Sequence, residues 1–161
     1  MNLYSDNIKY PDDISIGIGK DSSINVDIYR FALRKEFNDV FFKSENGFLS
    51  GYYEASLNLW DSKCRNIQVL AFSPVFVYYF NLDNRPFKPY IEAGIGAAYL
   101  SDKICGEREF STLFQFEDRI GFGISTKDYN IDLRYMHYSN GGIKEPNDGI
   151  NSIVLSLTFP F

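Results

Sequence analysis

Apolar and polar side chains alternate along much of the chain with a period of two, the spacing that sends successive side chains to opposite faces of a β-strand. In "FLSGYYEASLNLW", Leu49, Gly51, Tyr53, Ala55, Leu57 and Leu59 share one face, and Ser50, Tyr52, Glu54, Ser56 and Asn58 share the other. Ile91, Ala93, Ile95, Ala97 and Tyr99 alternate with Tyr90, Glu92, Gly94, Gly96 and Ala98. Phe114, Phe116, Ile120 and Phe122 alternate with Gln115, Glu117, Arg119, Gly121 and Gly123, and Asp118 interrupts the apolar row. Clusters of Gly, Asp, Asn and Ser bound eight such segments, predicting strands over 13–20, 24–36, 47–61, 66–81, 88–101, 110–126, 129–140 and 149–161. The second and fourth are less regular, and in the fourth "FSPVFVYYF" is apolar on both faces and Pro74 lacks a ladder donor. No long helix is predicted between these segments.

The polar faces carry Glu54, Glu92, Glu117, Arg119, Asp132 and Arg134. Burying them in a dry core would be costly unless they pair with one another, whereas they suit a small polar lumen. Apolar outside and charged inside is the polarity of a transmembrane barrel, and a soluble ligand-carrying barrel would need the reverse. The expected fold is therefore all-β, an eight-stranded antiparallel transmembrane β-barrel, with residues 1–161 forming a single domain.

Composition agrees. Hydrophobic residues make up 45% of the 161 residues, with 15 Phe and 12 Tyr against one Trp, yet the mean hydropathy is −0.23. Such aromatic content suits girdles at two membrane interfaces, and Trp60 and the tyrosines are expected there. A net charge of −5 without clustered Lys or Arg argues against a nucleic-acid partner. No run approaches the roughly 18 apolar residues of a membrane-spanning helix. "MNLYSDNIKY" has neither the basic start nor the apolar stretch of a signal peptide. The chain thus reads as cytoplasmic or as a mature exported form, and the barrel pattern favours the latter.

The one histidine lies in "HYSNGGIKEPNDGIN", residues 137–151. Within "NIDLRYMHYSN", Ile131, Leu133, Tyr135, His137 and Ser139 share a face opposite Asp132 and Arg134. In the next segment Asn151 shares the face of Ile153, Leu155, Leu157 and Phe159. His137, Ser139 and Asn151 are thus expected on the lipid-facing exterior, close to one rim, because their strands are antiparallel neighbours. A base and a nucleophile two residues apart on a strand stand roughly within reach of each other.

The segments "FSPVFVYYF", "FKPYIEAGIGAAYLS", "FQFEDRIGFG" and above all "HYSNGGIKEPNDGIN" resemble the PagL-type lipid A 3-O-deacylases, with the likeness running from about residue 47 to the C-terminus. The strand-like ending "NSIVLSLTFPF" is also similar to the close of bacterial outer-membrane proteins. The resemblance implies an outer-membrane barrel that hydrolyses the 3-position acyl ester of lipid A in lipopolysaccharide, with its site on the outer wall and no cofactor or metal. It implies catalytic roles for His137 and Ser139 and an oxyanion region around Asn140, Gly142 and Asn147. The acidic residue that orients the histidine in the family falls on Asn151. An amide oxygen can fix the imidazole tautomer but carries no full charge, and Asp148 or Glu145 is the alternative acid. Implied partners are lipopolysaccharide and outer-membrane lipids, with a homodimer compatible with the sequence.

Glu54, Glu92, Glu117, Arg119 and Arg134 read as a structural network within the lumen, and the glycines of "GIGAAY" as making room there. With a periplasmic N-terminus, Cys64 and Cys105 fall on the rim of the catalytic loop, where a disulfide could join them. The alternative function is a non-catalytic small barrel with a structural or lipid-binding role.

Overall fold

The computed structural model describes residues 12–21, 25–63, 65–82, 85–105 and 107–161. Eight long strands form the wall: β1 (Asp13–Asp21), β2 (Val26–Glu36), β3 (Gly47–Asp61), β4 (Ile67–Phe80), β5 (Lys88–Leu100), β6 (Phe114–Ser125), β7 (Asn130–Ser139) and β8 (Ile150–Pro160). Each pairs antiparallel with its neighbours in sequence, and β1 closes the ring on β8, with Gly17 opposite both Arg30 and Ser156. Closure leaves no sheet edge, so the backbone groups of the wall are satisfied without water. The predicted strands agree with these to within a few residues. The main difference is 110–113, which precedes β6 as loop.

The ring also carries two short additions. Phe42–Lys43 pairs with the start of β3, and a small ribbon pairs Ile104–Cys105 with Arg108–Glu109 in the β5–β6 connection. Cys64 lies outside the described residues.

The face assignment follows the alternation. Tyr53, Leu57, Ile95, Ile120, Phe122 and Ile153 are exposed on the outer wall, whereas Glu54, Asn58, Glu92, Glu117, Arg119, Asp132 and Arg134 are buried inside. β4 is apolar on both faces because its inward valines enter two apolar plugs. Val69 joins Val26, Trp60, Phe110, Met136 and Tyr138 at one end of the lumen; Val75 and Val77 join Tyr52 and Tyr90 at the other. Trp60 is therefore no girdle residue. Its even position in β3 turns it inward, fully buried, with its ring edge-on to Tyr138 at 4.9 Å. Tyr52, Tyr90 and Tyr138 are likewise internal.

Gly94 and Gly96 make room for the inward side chains of β4 and let the two strands approach. A Cβ at Gly96 would come within 2.5 Å of the Phe72 carbonyl oxygen and 1.9 Å of Ser73 Oγ. β4 and β5 approach closely where the described pairing passes from Phe72–Ala97 to Val75–Gly94, across Pro74. Proline explains the interruption, since it donates no ladder hydrogen bond.

Between the plugs lies an ionic layer. Glu54 accepts from Arg30 Nη2 at 2.7 Å, Arg34 Nε at 2.8 Å and Arg119 Nη1 at 2.7 Å. Glu117 takes Arg30, Arg119 and the Tyr138 hydroxyl, and Glu92 takes Arg134 Nε and the Tyr52 hydroxyl. Arg30 and Arg34, not singled out by the alternation, complete the layer. Removing one carboxylate from such a cluster strands buried positive charge. Glu54→Leu should lower unfolding free energy by about 3–5 kcal/mol, read from urea titrations in detergent; a loss below about 1 kcal/mol would show that the layer is not held by these pairs.

Candidate active site

Because the lumen is filled, the groups that can meet a ligand stand on the outer wall. β7 presents Leu133, Tyr135, His137 and Ser139 outward in turn. Its register places His137 opposite Asn151 of β8 on one side and Asp118 of β6 on the other. Three strands thus bring an imidazole, an amide and a carboxylate into one row near the rim formed by residues 140–149.

His137 Nδ1 lies 2.6 Å from Asn151 Oδ1, and the same oxygen accepts the Tyr135 hydroxyl at 2.8 Å. An amide oxygen only accepts, so the imidazole proton sits on Nδ1 and Nε2 keeps its lone pair. Asn151 is held from below as well, its backbone N–H donating to buried Asp21 at 3.0 Å. Ser139 occupies the next outward position, one strand repeat of about 7 Å from His137. The two form no hydrogen bond among the described residues. Gly149, at φ +59°, lies against both: a Cβ there would stand 3.3 Å from His137 Cε1 and 3.7 Å from Ser139 Cβ. A side chain at that position would be strained and would crowd the pair.

The loop is organised by Asn140, fully buried at the top of β7. Its Nδ2 donates to the carbonyls of Phe110 at 2.9 Å and Lys144 at 2.7 Å, and its Oδ1 accepts Gly142 N–H at 2.9 Å. Its backbone N–H donates to Asn147 Oδ1 at 2.9 Å. The structure therefore brings Asn140, Gly142 and Asn147 together, but the donors of Asn140 and the Gly142 amide are already committed. Asn147 Nδ2 donates to no described residue, and the bond to its Oδ1 sets the orientation of the side-chain amide.

Neither alternative acid meets the histidine. Asp148 Oδ2 accepts the Glu109 N–H at 2.7 Å, and Arg108 donates to the Asp148 carbonyl at 3.0 Å, which straps the β5–β6 connection onto the loop. Glu145 is exposed and forms no bond to His137. Asp118 was missed as a site residue, although the signal was visible as the polar break in an apolar row. Tyr135 was missed because an outward tyrosine near a rim reads as girdle. No group of three or more His, Cys, Asp and Glu side chains that could hold a metal occurs among the described residues.

Beside the row runs an apolar groove. A hollow of about 700 Å³ is lined by His137, Asp118, Tyr135, Ile120, Ala93 and Phe76. It shares the last four with a second hollow of about 560 Å³, which continues down the wall past Ile91, Phe122 and Leu133. Ala93 lies between the larger Phe76 and Ile120 in register, so a shallow channel passes over β5. A polar row at the head of an apolar channel can hold an ester linkage with its hydrocarbon chain alongside.

Comparisons with known proteins agree with this arrangement. The family description for lipid A 3-O-deacylase (PagL) matches residues 27–160. The lipid A deacylase PagL of Pseudomonas aeruginosa is 36% identical over 151 residues, covering 92% of this chain and 86% of that protein. The lipid A deacylase PagL of Bordetella bronchiseptica is 47% identical over 73 residues, 45% of this chain and 41% of that protein. The crystal structure of the outer membrane enzyme PagL superposes with a TM-score of 0.87 at 36% identity, covering 92% of this chain and 99% of that one. Neisserial surface protein A, at 14% identity and a TM-score of 0.53, shares the fold.

The hub role of Asn140 has a direct consequence. Asn140→Ala removes four side-chain bonds, among them those from the Gly142 and Lys144 N–H groups to Oδ1, and should raise amide exchange at Gly142 and Lys144 by about tenfold or more while exchange in β1–β8 is unchanged. Equal protection in both forms would show the loop to be held by other contacts.

Proposed function

The chain belongs to the PagL family of lipid A 3-O-deacylases, outer-membrane enzymes of the ester hydrolase class, and from that premise we propose that Ser139 is its nucleophile and His137 its general base. The observation that carries this reading is the short Asn151 bond to His137 Nδ1, formed on the outer wall at the head of the apolar groove. It leaves Nε2 free to accept a proton on the lipid side.

The reaction follows from the chemistry of these groups. His137 Nε2 takes the Ser139 hydroxyl proton as Oγ attacks the carbonyl carbon of the 3-position ester. Negative charge gathers on the carbonyl oxygen, and Asn147 Nδ2, with its own oxygen already held, donates to it. Collapse breaks the bond to the sugar 3-oxygen, which recovers the proton from Nε2 and leaves. A water, deprotonated by the same nitrogen, then attacks the acyl carbonyl, and the bond to Ser139 Oγ breaks as Oγ takes that proton back from Nε2, which frees the fatty acid. The outward site matches the substrate, because lipid A stands in the outer leaflet and its chains reach the wall laterally. The groove over Ala93 receives the chain that is cut.

Asn151 fixes the tautomer but supplies no full charge for the imidazolium that forms. Asp118, the register neighbour of His137 on β6, supplies it. Its other register neighbour on the wall is Ile95, so His137 is the neighbour in register that can carry a positive charge, although among the described residues the two side chains form no ion pair.

Mass spectrometry of lipid A treated with purified protein tests the assignment. The native protein should release the 3-position acyl chain, and His137→Ala and Ser139→Ala should release none; equal release by all three would end the serine hydrolase reading. Asp118→Asn should lower kcat about tenfold, and adding Asn151→Glu to that variant should restore most of it. Asp118→Asn at the native rate would remove Asp118 from the mechanism.

A further inference from the structure

The row that holds His137 and Asn151 stands on a ridge, and the apolar groove occupies only one side of it. On the other side, over β8, β1 and β2, lies a separate trough of about 670 Å³. Leu133, Tyr135 and Ile153 wall both depressions, and Asn151, the partner of the imidazole, lines this second one.

The trough changes character along its length. Toward the loop rim it offers Lys20, Asp27 and Asn151; deeper along the same strands it offers Ile18, Tyr29 and Leu155. Lys20 Nζ stands 3.5 Å from Asp27 Oδ1, with both side chains about half exposed at 55% and 54%. A pair this open is weak and leaves donors and acceptors available to a ligand. The groove beside His137, by contrast, is apolar nearly throughout. Polar at the headgroup level and greasy below is the profile of an acylated sugar, not of a hydrocarbon chain alone.

We infer that this trough is a second lipid subsite, which takes the part of lipid A that the reaction retains. This rests on the hydrolase reading above. In lipid A the sugar carbon next to the cleaved ester carries an amide-linked acyl chain, so the two chains diverge from adjacent positions. The ridge that separates the depressions is formed by β7 and β8, whose backbones are about 5 Å apart. The substrate straddles it: the chain to be cut lies over β5 and β6, the retained chain lies against Ile18 and Leu155, and the sugar's polar groups meet Lys20 and Asp27. Binding on both sides fixes the ester carbonyl above Ser139, so energy from the retained chain serves orientation at the reacting centre.

The test compares two substrates in detergent micelles: lipid A, and a glucosamine that carries the 3-position ester as its only acyl chain. Ile18→Trp fills the trough and leaves the dyad untouched. It should lower the ratio of kcat/KM for lipid A to kcat/KM for the single-chain ester about tenfold, with kcat for lipid A falling as well as KM rising. Lys20→Ala, a truncation at an exposed position, should move the ratio in the same direction by a smaller factor. An unchanged ratio in both variants would overturn the subsite and mean that bulk lipid fills the trough. Failure of the native protein to cleave either ester would instead overturn the hydrolase reading, and the subsite with it.

Discussion

Glu54, buried under the guanidiniums of Arg30, Arg34 and Arg119, marks the constraint on which the rest of the molecule depends. A closed eight-stranded barrel has an interior only wide enough for its own side chains. Here that interior is filled by four arginines, Arg30, Arg34, Arg119 and Arg134, interleaved with Glu54, Glu92, Glu117 and Asp132. The two signs balance, and apolar plugs seal the layer at both ends. Nothing the size of a lipid can enter. Chemistry on an amphiphile must therefore happen on the outer wall.

That displacement imposes demands on the site that a cleft would not. A wall exposed to lipid tolerates few polar atoms, so each polar group on it needs a neighbour on the same face. The ladder supplies them by register: Asn151 and Asp118 flank His137, while Tyr135 reaches Asn151 from the position below. Rigidity comes from the strands themselves, which hold these groups more firmly than a loop would. Only Asn147, the oxyanion donor we propose, belongs to a loop, and that loop is clamped twice, by Asn140 from beneath and by the Asp148 contacts to Arg108 and Glu109 from the side.

The outward row of Tyr135, His137 and Ser139 was legible in the sequence because parity along a strand is insensitive to small errors in its ends. A strand shifted by one residue at its boundary keeps the same side chains outside. The lumen carboxylates were legible for the same reason. Arg30 and Arg34 were not, since β2 alternates less cleanly and their partners come from β3 and β6, far along the chain. Trp60 was misplaced because composition suggests girdles without saying which face a given ring takes, although its even position in "FLSGYYEASLNLW" already turned it inward.

Register across strands lies one level deeper than parity. Whether Asp118 meets His137 or some other residue depends on the offset between β6 and β7, which follows from the lengths of the turn and strands and not from the local pattern of either. The sequence therefore showed an unexplained carboxylate on a greasy face and an amide where a carboxylate was expected, as two separate oddities. Pairing makes them one arrangement. An outward aspartate is costly in lipid unless a cation faces it, and in the mechanism we propose His137 becomes that cation only while it holds the serine proton. Asn151 holds the ring through its amide oxygen, and under the proposed mechanism Asp118 acts when charge appears, so orientation and charge would come from the two strands that flank β7.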